Sequence, residues 1–196
     1  MLIRPAQRED LADIDRVIIA AFREHGTAVC QLVASLRASN LALPDLTFVA
    51  ADEAEIVGFV SVSVMEVERE DGDPFAVLNL TPLAVGPGHQ GRGIGAALVE
   101  AAIMTAKNRP EPLLFVEGRW GSNSLYGRYF EPRATNIAAP SEVPNEAAFQ
   151  MLWLPRYDES RHYGQAKYPD AIRQMVHSET DRVSEGLTNS SAEVVG

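Results

Sequence analysis

The sequence is poor in cysteine, and this scarcity excludes two kinds of protein. Cys30 is the only cysteine among 196 residues, so neither an intrachain disulfide nor a cysteine cluster for zinc or iron–sulfur can form. The spacing of the four histidines is not that of metal ligands: His25, His89, His162 and His177. We therefore expect no metal site, and a reducing cytoplasm is the predicted location.

Long hydrophobic runs and an excess of positive charge are also missing. No stretch reaches the roughly 18 to 20 uninterrupted apolar residues that a membrane-spanning helix needs. Charged residues interrupt the N-terminal region before it could form the apolar core of a signal peptide. The formal net charge is −10, which disfavours nucleic-acid binding and favours attraction of cationic partners such as amines. We expect neither a membrane nor a nucleic acid as partner.

The hydrophobic content is high enough for one compact domain. Apolar residues make up 46% of the chain, and 196 residues lie within the usual range for one core. From Met175 onward the chain is polar, with few large apolar groups to offset the entropy of ordering it. We predict a domain over residues 1–174 and a mobile tail over 175–196.

Hydrophobic periodicity predicts a mixture of strands and helices. A long strand with period two begins at Ile56, and a polar turn at 71–74 separates it from a second long strand over 75–85, so the two should form an antiparallel hairpin. The other predicted elements, in chain order, are a strand at 2–5, a helix with an apolar stripe from Leu11 to Phe22, a helix at 29–37, a strand at 47–51, a helix that follows Gly95 and stops at Pro110, a strand at 113–116 parallel to the strand at 75–85, a short helix within 121–130 and a final strand at 148–154.

The segment between the second long strand and its helix is rich in glycine. Four glycines fall within the eight residues from Gly88 to Gly95, more than a single helix cap requires. Glycines let backbone N–H groups turn toward a phosphate at the positive end of the following helix, so a pyrophosphate site is predicted. A Walker A loop is excluded, because no Lys-Ser or Lys-Thr follows the glycines.

A dinucleotide site is an alternative interpretation of this loop. Residues 86–91 match the pattern G-x-G-x-x-G, and Glu117 follows at about the spacing of a ribose-binding acid. The preceding antiparallel hairpin disfavours this interpretation. So does Pro87, which removes an N–H inside the phosphate turn.

The stretch Leu83-Ala84-Val85, followed by Gln90-Gly91-Arg92-Gly93-Ile94-Gly95, resembles the acyl-CoA signature of the GNAT superfamily of N-acyltransferases. That signature is Gln or Arg, two residues, Gly, one residue, and Gly or Ala. The resemblance extends loosely over about residues 1–170. It implies a mixed α/β (α+β-like) GNAT fold, with a central, mostly antiparallel sheet that splays after the fourth strand and is flanked by helices. It also implies transfer of an acetyl group from acetyl-CoA to a primary amine of a small molecule, an aminoacyl group or a protein.

The resemblance also implies roles for particular residues in binding acetyl-CoA. Backbone N–H groups of Leu83, Ala84 and Val85 would bind the thioester carbonyl and the pantetheine amides. The pyrophosphate would be held by Gln90, Gly91, Arg92, Gly93, Ile94 and Gly95, and Asn123 would contact CoA.

Catalytic roles follow from the same resemblance. Tyr126 would protonate the departing thiolate; because the chain lacks the glycine that relatives carry after Tyr-x-Arg-Phe, Tyr129 is the alternative acid. The resemblance gives no role to Glu117, but this residue is the first candidate for the general base because it ends the strand that would splay away near the acetyl group, with Glu66 or His25 as substitutes. A non-catalytic acyl-CoA-binding or sensory module is the alternative function. The sequence does not identify the amine, and a homodimer is possible.

Overall fold

The computed structural model describes residues 1–53, 55–118, 124–132, 136–143 and 148–176. The prediction for Asn123 and almost all of the predicted tail lie outside these ranges. Residues 170–176 form a further helical segment near the end of the described chain. The main helices are α1 (Leu11–Phe22), α2 (Gly26–Ala38) and α3 (Ile94–Ala106), and the strands are β1 (Leu2–Pro5), β2 (Phe48–Asp52), β3 (Glu55–Glu68), β4 (Phe75–Val85), β5 (Leu113–Glu117), β6 (Glu131–Pro132), β7 (Ile137–Ala138), β8 (Phe149–Trp153) and β9 (Gly164–Lys167).

The strands form one mixed sheet in the order β1-β2-β3-β4-β5-β8-β6, with β9 paired to β3 and β7 to β9. The predicted hairpin of β3 and β4 is antiparallel, and the predicted parallel pairing of β4 with β5 is present. The β7–β9 pair is also parallel, and the remaining pairs are antiparallel. The mixed, mostly antiparallel α/β architecture is therefore confirmed.

Helices cover both faces of the sheet. On one face, α3 packs on a cluster of strand residues that includes Val60, Leu78, Leu114 and Val116. On the opposite face, α1 and α2 cover two clusters whose strand residues include Phe59, Ala84, Val77 and Phe115. Residues 56–63 of β3 are therefore buried without interruption, although their sequence alternates, because each face has its own cover.

The helical turns from Arg8 to Ala38 span 31 residues and contain an 18-residue window with a mean hydropathy of 1.2, so by length and composition alone they could cross a membrane. In this fold they are not one straight helix. Arg23 adopts a left-handed φ of 54° and ends α1, so α2 begins again at Gly26. Buried residues of both helices, such as Ile18 and Val33, pack together against the sheet.

The sheet opens between β4 and β5. Their parallel register consists of Leu78 with Leu114, Asn79 with Phe115, and Leu80 with Val116. Beyond Leu80, β4 continues to Val85 and pairs, among the residues that the structure describes, with β3 alone, while β5 goes on to pair with β8. The splay after the fourth strand is thus present.

Two predicted elements differ from the structure. Strand β8 is not the last strand, because β9 follows it and pairs with residues 66–68 of β3. Its four residues contain no strong β-former, and they become a strand only through this distant partner. The predicted short helix within 121–130 is, among its described residues, a single 3₁₀ turn at Tyr126–Arg128.

Candidate functional site

The glycine loop connects the end of β4 to α3. A side-chain hydrogen bond within the loop holds it against the last residue of β4. The amide Nε2 of Gln90 donates a hydrogen bond of 2.9 Å to the carbonyl oxygen of Val85. Gly91 and Gly93 have φ values of 74° and 80°, a conformation that L side chains rarely adopt. Gly93 is also the N-cap residue of α3. The loop therefore needs glycine at these two positions to turn its backbone into the helix.

The N-terminus of α3 opens into a cleft of about 630 Å³. The first N–H groups of a helix lack partners within the helix and carry a partial positive charge, so they attract anions. Polar atoms of the loop, apolar side chains and one arginine share the lining, which suits a ligand with both phosphate and aliphatic parts. The lining residues are Leu83, Val85, His89, Gln90, Gly91, Gly93, Ile94, Gly95, Ala96, Leu125 and Arg128.

Main-chain groups at the end of β4 point into the open side of the sheet. Gly86 donates its N–H to Val57 of β3 at 2.9 Å, and groups alternate in direction along an antiparallel strand. The N–H groups of Leu83 and Val85 are therefore directed away from β3, toward the side where β5 has diverged. Ala84 lies between these two residues. Its side chain is 1% exposed and packs against the buried residues of α1.

Residues 124–130 pack between α3 and the end of β5. A Cβ added at Gly95 of α3 would lie 3.2 Å from Leu125, and the hydroxyl of Tyr129 donates a 2.6 Å hydrogen bond to Glu100 of the same helix. The ring of Tyr126 lies against Gly118, where a Cβ would be 2.5 Å from its Cε2 atom. This segment thus holds Tyr126 beside the opening between β4 and β5.

The surroundings of Tyr126 favour its neutral form. Its ring packs edge-to-face on Phe130, with ring centroids 6.0 Å apart. Burial raises the pKa of Tyr126 to about 12. Within the described ranges we find no hydrogen bond to its hydroxyl, whereas that of Tyr129 is bound to Glu100. Tyr126 can therefore donate a proton or a hydrogen bond to a bound ligand.

Glu117 lies at the last position of β5, on the opposite face from Tyr126. Its Oε2 atom accepts a hydrogen bond of 2.7 Å from the hydroxyl of Tyr168, which is 4% exposed. Burial, the charge of Glu117 and this hydrogen bond raise the pKa of Tyr168, so its hydroxyl remains a donor. Successive residues of a strand face opposite sides of the sheet. Glu117 and the Tyr126 ring that packs on Gly118 therefore lie on the two opposite sides of the opening.

The remaining predicted site residues lie in other environments. Arg92 is 58% exposed, and its guanidinium lies 4.0 Å from the carboxylate of Asp52 in β2. Glu66 is exposed and opposite Lys167 in the sheet register. His25 lies 3.5 Å from Glu24 in the turn between the first two helices. None of these three residues lines the cleft.

Two residues of this region were not predicted from the sequence. Arg128 lines the cleft, and its place in the Tyr-x-Arg stretch was the available signal. Tyr168 reaches Glu117 across 51 positions of sequence. No local pattern could have indicated that contact, because it depends on the pairing of β9 with β3 just before Tyr168.

Comparison with known proteins gives consistent matches. The model of the acetyltransferase (GNAT) family matches residues 13–119. An uncharacterised N-acetyltransferase of Escherichia coli K12, YjhQ, is 30% identical over 148 residues, which cover 75% of this chain and 78% of that protein.

Two solved structures share the fold over most of their length. The GNAT family N-acetyltransferase YhbS from Escherichia coli, in complex with CoA, has a TM-score of 0.74 at 24% identity and covers 88% of this chain and 91% of its own. A GNAT family acetyltransferase from Brucella melitensis, in complex with acetyl-CoA, has a TM-score of 0.67 at 24% identity, with 87% and 97% covered. Together with the family match over more than half of the chain, these likenesses lead to one assignment: the chain belongs to the GNAT family of acetyltransferases.

Proposed function

We propose that this chain transfers an acetyl group from acetyl-CoA to a primary amine in the cytoplasm, with residues 1–174 as the catalytic domain. The observation that carries the proposal is the opening between β4 and β5. On one face of the sheet it adjoins the glycine loop and Tyr126, and on the other face it adjoins Glu117. The thioester would lie in this opening, so that the leaving group and the attacking amine come from opposite faces.

The acyl donor would bind by its main polar groups. Its pyrophosphate fits the loop and the N-terminus of α3, where backbone N–H groups face the cleft, with Arg128 as an additional cation. Its pantetheine arm would run along the open edge of β4, where the N–H groups of Leu83 and Val85 are directed. One of these N–H groups aimed at the carbonyl oxygen would stabilise the developing oxyanion by about 3 kcal/mol.

The structures of YhbS with CoA and of the Brucella protein with acetyl-CoA support this choice of donor, because the same fold holds those molecules there. The roles of Arg92 and Asn123 as further CoA contacts stay predictions.

The chemical step needs one proton acceptor and one proton donor. The amine nitrogen attacks the carbonyl carbon, the C–S bond breaks, and CoA leaves as a thiolate. Glu117, directly or through water, takes the first proton of the ammonium group before attack. The second N–H proton leaves as the amide forms and passes through water to the CoA thiolate or to solvent, while Tyr126 donates a hydrogen bond to the sulfur. The pKa of Tyr126 is about 12, whereas the reference pKa of a thiol is near 8.5. Full proton transfer from Tyr126 to the CoA thiolate is therefore energetically unfavourable. The hydroxyl therefore acts chiefly as a hydrogen-bond donor while the C–S bond breaks.

The net charge of −10 supports an amine as acceptor, because a negative surface field attracts ammonium groups. The experiment is an acetyl-transfer screen of the purified chain across small amines, aminoacyl analogues and peptides. Release of free thiol and mass spectrometry of the products are measured together. Amine-dependent thiol release with an acetylated product supports the proposal. Tight acetyl-CoA binding without turnover on any amine would favour the non-catalytic module.

A further inference from the structure

Gln150 of β8 is fully buried beside the candidate site, yet one of its two polar atoms has no hydrogen-bond partner within the described part of the chain. Its Nε2 atom donates to the carbonyl oxygen of Gly118 at 3.0 Å. Its Oε1 atom is buried and has no hydrogen-bond partner among the described residues. A buried amide with an orphan oxygen costs stability, so an apolar residue would be the simpler choice for the core at this position.

The position of Gln150 connects it to Tyr126 through a single residue. In the register of β5 with β8, Gln150 lies opposite Val116, on the sheet face that α3 covers. The N–H of Gly118 bonds to Ala148 at 2.9 Å, so the backbone of Gly118 is held by β8 on both its N–H and its carbonyl. The ring of Tyr126 lies directly on Gly118, in the space that a Cβ would fill.

We propose that Gln150 is a positioning residue for acetyl transfer: its amide fixes the backbone of Gly118, and Gly118 fixes the ring and hydroxyl of Tyr126. The proposal rests on the proposed role of Tyr126 at the leaving group. It explains why an amide is kept at a fully buried position, because only a donor can bind the Gly118 carbonyl there. It also explains the glycine, because any side chain at residue 118 would displace the ring.

The test is a double-mutant cycle of Gln150→Met with Tyr126→Phe, measured by kcat and by the KM for acetyl-CoA. Methionine keeps the length and shape of glutamine and removes only the donor and the orphan oxygen. We expect Gln150→Met to lower kcat about tenfold or more, with the KM for acetyl-CoA within about twofold of wild type. In the Tyr126→Phe background the same change should alter kcat less than about twofold, because the hydroxyl it positions is already gone.

Gln165→Met is the matched control. Gln165 is a half-buried glutamine of β9 whose Nε2 atom also donates to a backbone carbonyl, that of Ala139, away from the candidate site. Its replacement should leave kcat unchanged. Gly118→Ala is the second variant, because it moves the ring without touching Gln150. It should reproduce the kcat loss even if Gln150→Met does not fold.

The outcomes separate this inference from the proposed function. Two outcomes overturn only the positioning role, provided that Tyr126→Phe itself has a large loss of kcat. In the first, the kcat losses of Gln150→Met and Tyr126→Phe are additive in the double mutant. In the second, neither Gln150→Met nor Gly118→Ala loses kcat. Full activity of Tyr126→Phe overturns the acid role and the inference with it. A loss in Gln150→Met matched by an equal loss in Gln165→Met would show a general effect on folding and would also overturn it.

Discussion

The two tyrosines three residues apart in the chain have different surroundings in the fold. Tyr129 donates its hydroxyl proton to Glu100 and is held on α3. Tyr126 is half-buried and packs against Gly118 and Phe130 at the opening of the sheet. The sequence left both as candidate acids, and the hydrogen bond to Glu100 makes Tyr129 the weaker candidate.

We therefore expect Tyr126→Phe to lower kcat by a factor of about 10² to 10³, the usual cost of removing one hydrogen-bond donor to developing negative charge. Acetyl-CoA binding, measured by calorimetry, should stay within a few fold of wild type because only the hydroxyl is removed. Tyr129→Phe is the control and should retain most of its kcat. A large loss in Tyr129→Phe with none in Tyr126→Phe would mean that the two residues exchange roles.

The raised pKa of Tyr126 also predicts the shape of the pH profile. With a pKa of about 12, the hydroxyl stays protonated at every pH at which enzymes are usually assayed. Between about pH 7 and 10, wild type and Tyr126→Phe should differ in the level of kcat but not in its pH dependence. An alkaline limb centred near pH 9 that disappears in Tyr126→Phe would show that its pKa is not raised.

At the scale of elements, the loop and the start of α3 form one unit. Gly93 ends the loop, caps the helix and adopts a left-handed φ of 80°. Asn and Asp are the side-chain residues that best tolerate this conformation, and both are good N-caps. Substitution by either of them should therefore cost a similar, limited backbone strain, and the two variants differ chiefly in charge.

The pair Gly93→Asp and Gly93→Asn therefore tests whether the loop binds phosphate. Aspartate places a negative charge beside the pyrophosphate, and we expect it to raise the KM for acetyl-CoA at least tenfold more than asparagine does. The KM for the amine should change little in both. Equal KM values for acetyl-CoA in the two variants would place the phosphates elsewhere. Gly88→Ala, whose Cβ meets no atom within 4 Å, is a control for substitution in the loop.

At the scale of the whole molecule, ligand binding and stability are coupled. Acetyl-CoA at about 100 times its Kd should stabilise the fold by roughly 2.7 kcal/mol. For a chain of this length, that corresponds to a rise in Tm of about 5 to 10 °C. NADH should give no comparable shift in the same thermal assay. The opposite pattern would revive the dinucleotide interpretation of the glycine loop.

Alkaline pH should weaken the whole fold through two tyrosines whose pKa values are raised, the half-buried Tyr126 and the buried Tyr168. Burial raises the pKa of Tyr126 to about 12 and raises that of Tyr168 as well, whereas both ionise near pH 10 in the unfolded chain. Their contribution to the free energy of unfolding is complete below about pH 10. It is lost as the pH rises from there toward the pKa of each tyrosine in the folded chain, at up to about 1.4 kcal/mol per pH unit for each group. Urea unfolding between pH 9.5 and about 11 measures this slope, which should be smaller in Tyr126→Phe. An unchanged slope would contradict the burial argument.

The sequence by itself determined the order of the main helices and of β1 to β5 and β8, the glycine loop and, through the resemblance of that loop to a known signature, the family. These features are local: the strand period of β3, the apolar stripe of α1 and the glycine spacing before α3 each lie within a short window. The mixture of strands and helices was predicted from these patterns, whereas the family and the splay after β4 were predicted from the resemblance of the glycine loop to the acyl-CoA signature; all three are confirmed.

Only the tertiary structure decided which groups around the opening meet. Gln150 reaches Gly118 across 32 positions of sequence, and Tyr168 reaches Glu117 across 51. The free edge of β4 exists because β5 pairs with it for three residues and then continues with β8. Such contacts depend on how distant strands pair, and a burial pattern within one segment carries no information about its partner. For the same reason β9 was missed, because its four residues become a strand only when they pair with β3.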